Sequence, residues 1–450
     1  MVAAGRRWRV CVFLLGVACL GCEAQRPPNI VIIFADDLGY GDLSSYGHPT
    51  IRTPRLDRMA QEGIKLTSFY VASPACSPSR YALLTGRYPV RSDIIWALGP
   101  DEERGIAASE VTLAEALKAQ GYRTAAVGKW HLGARPGFFP TEHGFDSYYG
   151  LLYSNDMMPP WVGTERPLEL WRDTVPVEHP VDQSTLTERY TEEAVAFIRA
   201  SRDTPFFLYL AHSMPHVPLH TSERFQGRSE GGLYGDVIET IDWSTGRILD
   251  ALEEEGLADH TLVIFTSDNG PWNEMPERMF GEGKIRPWDA GSAGPLRGSK
   301  AMTWEGGVRV PFIARWLGRI PAGQVSSELA TTMDLYTTVI GVAGGAVPRD
   351  RPVDGQNILP LLKGAAGSPR DNFFYCYPDR LQAVRDGEWK LVIRRTDPQG
   401  PAMLELYNMR TDPYERFTVA QSHPEVVERL RQKMLAFAEE TGARLDLGGR

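Results

Sequence analysis

Four short apolar runs, residues 30–34, 124–127, 206–210 and 262–265, recur along the chain between amphipathic stretches. Runs this short and this uniformly apolar suit strands of a parallel sheet buried on both faces, where neither side of the pleat meets water. Between them, Leu113-Ala114-Glu115-Ala116-Leu117-Lys118 sets its leucines four apart, on one face of a helix. The alternation predicts an α/β fold with a mostly parallel central sheet flanked by helices. After about residue 365 the texture changes: Trp389-Lys390-Leu391-Val392-Ile393 is short and extended, Asp412-Pro413 marks a turn, and a helix is expected over 424–441. These elements predict a small C-terminal antiparallel sheet closed by a terminal helix, and divide the chain into 27–365 and 366–450.

Polar residues stand just past the carboxyl ends of the four runs. Asp36 and Asp37 follow the first, Lys129 and His131 the second, His212 and His216 the third, Asp268 and Asn269 the fourth. In an open parallel sheet the ligand crevice lies at the carboxyl ends of the strands, so these segments are expected to converge on one site. Lys129 and His131 share a face if their segment is extended. Residues 269–300, rich in Gly, Pro and Trp, are flanked by candidate residues and read as an active-site loop. Trp161, Trp272 and Trp288 suit either ring stacking on a ligand or ordinary packing.

Composition adds limits. With 42% hydrophobic and 23% charged residues the chain is an ordinary globular one with a large core. Its net charge of −9 favours neither nucleic acid nor an anionic membrane as partner, so an anionic ligand requires a local cluster of cations. Arg6, Arg7 and Arg9 precede an apolar run over 10–20 that is too short to span a bilayer and reads as an export signal. Two processing routes fit: cleavage after Ala24, removing 1–24, or removal of 1–21 with lipid attachment at Cys22, which would be the one membrane anchor. Cys11 and Cys19 leave with the signal, so Cys76 and Cys376 remain, plus Cys22 if lipidated, and no disulfide framework exists. Cys376, within Phe373-Phe374-Tyr375-Cys376-Tyr377, reads as a buried thiol. Cys76 has no such structural reason. The chain holds no Asn-x-Ser/Thr sequon, which favours bacterial export (periplasm, outer membrane or medium) over eukaryotic secretion.

In Cys76-Ser77-Pro78-Ser79-Arg80, Ser77 suits an N-cap, Pro78 the first helical position, and Gly86 the terminator. Cys76 then sits at a helix N-terminus, where the dipole and free N–H groups favour anions, and Arg80 can turn back to the same end. A thiol in that field is activated, so a cysteine hydrolase fits. The pattern Cys-x-Pro-x-Arg is more specific, because it resembles the signature by which sulfatases have their cysteine oxidised to formylglycine.

The resemblance to the formylglycine-dependent sulfatase family covers nearly the whole mature chain. Asp36-Asp37-Leu38-Gly39-Tyr40-Gly41-Asp42, Cys76 to Arg80 with Leu84-Thr85-Gly86-Arg87, Gly128-Lys129-Trp130-His131-Leu132-Gly133, Ser267-Asp268-Asn269-Gly270, and Lys300 with Glu305-Gly306-Gly307 follow in the family's order. Glu405-Leu406-Tyr407-Asn408 with Asp412-Pro413 looks like the family's C-terminal subdomain. The resemblance implies an alkaline-phosphatase-like fold, hydrolysis of a sulfate monoester on a sulfated carbohydrate or aryl sulfate, and maturation by a formylglycine-generating enzyme. It implies Asp36, Asp37, Asp268, Asn269 and the modified Cys76 as ligands of one Ca²⁺; three carboxylates and an amide oxygen are hard donors suited to that ion, and Mg²⁺ fits as well. It further implies that Arg80 and Lys129 stabilise the hydrated aldehyde and bound sulfate, and that His131 assists proton loss from that hydrate. His216 would contact sulfate and protonate the leaving oxygen, Lys300 would grip the sulfate, and Ser154 would add a polar contact. His212 competes with His216 for its role, and Pro218 aligns the second histidine with the family pattern. A phosphatase or phosphodiesterase of the same fold is the rival enzyme, but such sites need histidine ligands where this chain has Asp268-Asn269. The other rival, a catalytically silent carbohydrate-binding protein, is at odds with every expected catalytic position being filled.

Overall fold

The structure is a computed structural model that describes residues 1–2, 26–395 and 402–445, so the export segment with Cys22 and Ala24 lies outside the described residues. Among the described residues, no helix is long and apolar enough to cross a membrane.

The larger sheet contains β1 (Asn29–Ala35), β2 (Ile64–Tyr70), β3 (Arg123–Gly128), β4 (Ser147–Gly150), β5 (Leu170–Arg172), β6 (Val175–Glu178), β7 (Phe206–Ala211), β8 (Thr261–Ser267), β9 (Arg309–Arg315), β10 (Gln324–Ser326) and β11 (Ala330–Thr331). Their order is β10-β2-β9-β8-β1-β7-β3-β4-β5-β6, with β11 also on β2. The centre, β8-β1-β7-β3-β4, is parallel throughout. β9 runs antiparallel between β2 and β8, and β5 and β6 close the far edge antiparallel. The four apolar runs are β1, β3, β7 and β8, each longer than the expected run by one to three residues. Every residue of β1, β7 and β8 is buried, which is why their sequences lack the polar alternation of a half-exposed strand. The helix expected at 113–118 is Leu113–Lys118; the Thr112 hydroxyl accepts the Glu115 N–H and the Glu115 carboxylate accepts the Thr112 N–H.

A second, antiparallel sheet is built from β12 (Asn372–Cys376), β13 (Leu381–Asp386), β14 (Trp389–Arg394) and β15 (Met403–Asn408) in sequence order. The terminal helix Pro424–Thr441 buries Leu430, Met434 and Phe437, one stripe at helical spacing, and Phe437 stacks on Phe374 of β12 at 4.0 Å. Cys76 and Cys376 are both free and buried.

Strand register positions the site. Ala35 pairs with Ser267, and Phe34 and Gly128 both pair with Ala211, so the carboxyl ends of β1, β3, β7 and β8 lie level. The ladder continues one residue further, with Asp268 N–H donating to the Ala35 carbonyl (3.1 Å) and Lys129 N–H to the Ala211 carbonyl (2.7 Å). Gly128 is required at this turn: its φ is +104° and a Cβ there would lie 1.8 Å from the Ala211 carbonyl oxygen.

Candidate active site

The helix Cys76–Thr85 begins at Cys76 itself, with Ala75 as an extended cap (φ −143°, ψ 149°), two residues before the start expected at Pro78. The Ser77 hydroxyl is not a cap, because it accepts the Leu98 N–H at 3.0 Å. Pro78 becomes the third helical residue, where the N–H it lacks would have had no helical partner. Gly86 ends the helix in left-handed backbone (φ 70°), as expected.

Cys76 is 1% exposed, with Sγ 3.5 Å from Asp36 Oδ1 and 4.0 Å from Asp37 Oδ1. The activation expected of its thiol does not occur. Burial pushes the thiol well above its usual range, outweighing the Lys129 and Lys300 charges, so an unmodified Cys76 is held neutral and a cysteine hydrolase is disfavoured.

Three carboxylates and three cations surround it. Arg80, fully buried, donates to Asp268 Oδ2 from Nε (3.1 Å) and Nη2 (2.7 Å), and to the Lys129 carbonyl (2.8 Å). Lys129 Nζ donates to Asp36 Oδ2 (2.5 Å) and Ser154 Oγ (3.1 Å). Lys300 Nζ reaches both oxygens of Asp37 at 2.7 and 2.8 Å. Burial alone would raise the Asp36 pKa, but Lys129 and Arg80 outweigh it and hold the carboxyl below its usual range. Asp37 adopts φ 64°, rare outside glycine, and its N–H donates to Asp268 Oδ1 (3.0 Å). Asn269 Nδ2 donates to Asp37 Oδ1 (2.7 Å), leaving Asn269 Oδ1 fully buried without a partner.

Donor atoms of Asp36, Asp37, Cys76 and His216 lie within 4.8 Å of one another. A buried amide oxygen with no donor is costly, and a cation beside it removes that cost. The carboxylates and the open Asn269 oxygen therefore fit a hard divalent cation.

The two candidate histidines are held in opposite ways. His131 has φ 60°, so the segment after Gly128 turns and is not extended as expected. Its Nε2–H donates to the Leu98 carbonyl (2.9 Å), leaving Nδ1 buried and without a partner. Burial, reinforced by Lys129 and Arg80, pushes its pKa well below the usual histidine range, so it is a neutral imidazole with an open lone pair. His216 instead donates from Nδ1 to the Val217 carbonyl (2.6 Å) and sets Nε2 3.5 Å from Asp37 Oδ2. The competitor His212 stands apart, with Nε2 3.3 Å from Ser244 Oγ on the helix Gly232–Glu254 and its pKa lowered by burial to about 4.

Residues 269–300 contribute both their ends and Trp272, whose ring lies 5.6 Å from that of His216 and 4.7 Å from Lys300 Nζ. Trp161 is buried, donating to the Met279 carbonyl, and Trp288 is 71% exposed. Sequence reasoning missed the carbonyls of Leu98 and Val217, which carry no side-chain signal. It also passed over Asp156, a buried carboxyl beside Ser154 that burial would raise but His216, Lys300 and Lys129 hold low.

Residues 28–346 match the Sulfatase family model. The chain belongs to the sulfatase family. Its residues 299–440 also match the model of the N-sulphoglucosamine sulphohydrolase C-terminal region. This sulfatase, and hence sulfuric ester hydrolase, is 41% identical to N-acetylgalactosamine-6-sulfatase of Canis lupus familiaris, covering 86% of this chain and 76% of the relative. It is 38% identical to human arylsulfatase A, covering 95% and 90%. The solved structure of Ps i-CgsB in complex with k-i-k-neocarrahexaose superposes with a TM-score of 0.79 at 29% identity, covering 92% of this chain and 93% of that one.

Proposed function

We propose that this sulfatase removes a sulfate monoester from a glycan, with Cys76 converted to formylglycine and one Ca²⁺ held by Asp36, Asp37, Asp268, Asn269 and the converted residue. The observation that carries the reading is the setting of Cys76: a helix start ringed by Arg80, Lys129 and Lys300, with a thiol that burial keeps neutral. Such a site is organised for anion chemistry at that position, yet not for chemistry by the thiol itself. The formylglycine, as its hydrate, would supply a hydroxyl for attack on sulfur, and the cation would offset the negative charge that develops there.

The protein's own groups do the rest. Asp36, Asp37 and Asp268 are matched by Arg80, Lys129 and Lys300, so a divalent cation leaves a surplus of positive charge that favours an anionic ester. Lys129 and Lys300 bind the sulfuryl oxygens, Ser154 orients Lys129, and Arg80 stays locked on Asp268. His131, neutral and open at Nδ1, would assist proton loss from the hydrate, whose second hydroxyl expels the sulfate and restores the aldehyde on losing its proton, while His216 Nε2 would deliver a proton to the departing alcohol. A glycan substrate is supported by the names of an N-acetylgalactosamine-6-sulfatase relative and of a structure solved with k-i-k-neocarrahexaose, and by the partly exposed Trp272 ring beside His216. The phosphatase reading lacks the histidine ligand set it needs at Asp268-Asn269. Export through residues 1–24, with or without a lipid at Cys22, and a division near residue 365 complete the proposal.

The test is mass spectrometry of the Cys76 peptide after coexpression with a formylglycine-generating enzyme, alongside sulfate release. Conversion should accompany turnover, and Cys76→Ala should lower kcat about 10⁴-fold or more with thermal unfolding little changed. An active enzyme carrying an unmodified thiol would overturn the mechanism.

A further inference from the structure

Ser77, next to Cys76 in the helix, is fully buried and spends its hydroxyl on another segment: its Oγ accepts the Leu98 N–H at 3.0 Å. Leu98 lies within residues 92–112, which form no helix or strand between the turn Pro89–Arg91 and the helix Leu113–Lys118. The Leu98 carbonyl in turn accepts the Nε2–H of His131 at 2.9 Å. Ser77, Leu98 and His131, at 0%, 2% and 1% exposure, thus form a buried chain from the helix that presents Cys76 to the imidazole.

The backbone around Leu98 has little else to hold it there. Trp96 and Ala97 before it are exposed, and Gly99 after it has no side chain; a Cβ at Gly99 would meet only Glu102 Cγ, at 3.6 Å. The loop's other side-chain ties fall elsewhere: Arg166 donates to the Pro100 carbonyl, Thr164 Oγ1 to Asp101 Oδ2 (2.7 Å), and Arg104 to the Asp93 carbonyl (3.2 Å). The loop returns to the histidine segment at Ile106, whose N–H donates to the Leu132 carbonyl (2.8 Å). Because each peptide unit is planar, pinning the Leu98 N–H and burying its side chain leaves one soft dihedral, ψ, to aim the carbonyl at His131.

That carbonyl decides the state of the imidazole. A carbonyl only accepts, so its bond to Nε2 requires the proton there and leaves the lone pair on Nδ1, which is buried without a partner. A buried Nε2–H that loses its acceptor recovers a bond in two ways, by passing the proton to Nδ1 or by turning the ring. Either one closes the lone pair.

We propose that Ser77 is a positioning residue for His131: by accepting the Leu98 N–H it aims the Leu98 carbonyl, which keeps the imidazole proton on Nε2 and the lone pair on Nδ1. The helix that presents Cys76 thereby also sets the state of the imidazole that serves it. The inference rests on the role given to His131 above. Its direct test is nitrogen NMR of the full-length protein, carrying isotopically labelled histidine and an unconverted Cys76, which needs no turnover. His131 should show a protected Nε2–H and an unprotonated Nδ1; in Ser77→Ala that proton should exchange about tenfold faster or appear on Nδ1. Ser77→Thr, which keeps a hydroxyl, should restore the wild-type ring signature, and Ser77→Cys, a weak acceptor of similar size, should fall between. Activity then shows whether the effect passes through the imidazole. Per converted Cys76, counted by mass spectrometry, Ser77→Ala should lower kcat about tenfold with KM little changed. In a His131→Ala background the same substitution should cost less than about twofold. Losses that multiply across the two substitutions, or a His131 signature the same in Ser77→Ala and Ser77→Cys as in wild type, would overturn the proposal. Absence of turnover on every sulfate ester would instead overturn the reading of the Cys76 site, while the ring signature still decides the role of Ser77.

Discussion

Lys300 and Glu305 stand five residues apart and belong to two different buried charge networks. Around Glu305, Tyr70 donates to Oε2 (2.6 Å), Tyr375 to Oε1 (3.1 Å), and Lys390 to Oε1 (3.0 Å), while Arg309 lies 3.4 Å away. Lys390 also reaches Glu415 (2.7 Å) and the Thr303 carbonyl (3.1 Å), and Glu415 accepts the Glu305 N–H (2.9 Å). This network ties β2 and the Glu305 segment to β12 and β14 of the second sheet, and its charges answer one another. The network around Cys76 is as deeply buried but leaves Asn269 Oδ1 and His131 Nδ1 without partners. Burial of charge is thus common to both, and Glu415 Oε1 also lacks a hydrogen-bond donor; what marks the site is that its open atoms, an amide oxygen and an imidazole nitrogen, belong to a cluster of three carboxylates, three cations and a thiol.

The sharpest way to break that contrast is at the histidines. His131→Ala should lower kcat about 10²- to 10⁴-fold on every ester, because His131 serves proton loss from the hydrate, which is the same whichever alcohol departs. His216→Ala should cost as much on a sulfated sugar but far less on nitrophenyl sulfate, whose alcohol departs without protonation. Parallel losses on both esters would remove the acid role from His216.

Lys390→Met strikes the closed network instead. It leaves Glu305 and Glu415 buried without their shared cation, so denaturant unfolding should show a loss of about 3–5 kcal/mol, while kcat of the folded enzyme changes little. A fall in kcat larger than the loss of folded protein would show that the two networks are coupled.

The smallest effect is a pH dependence. Burial, opposed by Lys390 and aided by Glu305, pushes Glu415 up to about 7, so the folded state binds this proton more tightly than the unfolded chain, whose value is 4.5. Its contribution to stability is complete below 4.5 and is lost as pH rises through about 7. Glu305 behaves oppositely: burial is outweighed by Lys390, Arg309 and Arg385, which hold it at about 2, so its contribution is present above 4.5 and lost as pH falls toward 2. Unfolding free energies of Glu415→Gln should therefore decline less between pH 4.5 and 7 than those of the wild type. Matching slopes would show that Glu415 is not the titrating group.

Much of this was legible in the chain because the relevant signals are local. The buried parallel strands declare themselves as uninterrupted apolar runs, and the rule that ligands gather at their carboxyl ends placed Asp36, Lys129 and Asp268 together across gaps of 93 and 139 residues. The antiparallel intrusion of β9 left no such mark, since a buried strand reads alike in either direction. The start of the Cys76 helix was misplaced because the Ser77 hydroxyl, a good cap by type, is taken by the Leu98 N–H. His131 was expected on an extended segment, and its left-handed backbone follows from contacts with Leu152 and Leu98.

The sequence by itself determined the inventory: which carboxylates, cations, imidazoles and thiol exist, in what order, and after which strands. Only the tertiary structure decided what state each is in. Tautomer and protonation depend on burial and on partners far along the chain, so the Leu98 carbonyl makes His131 an open base, the Val217 carbonyl turns His216 Nε2 toward Asp37, and desolvation silences the Cys76 thiol.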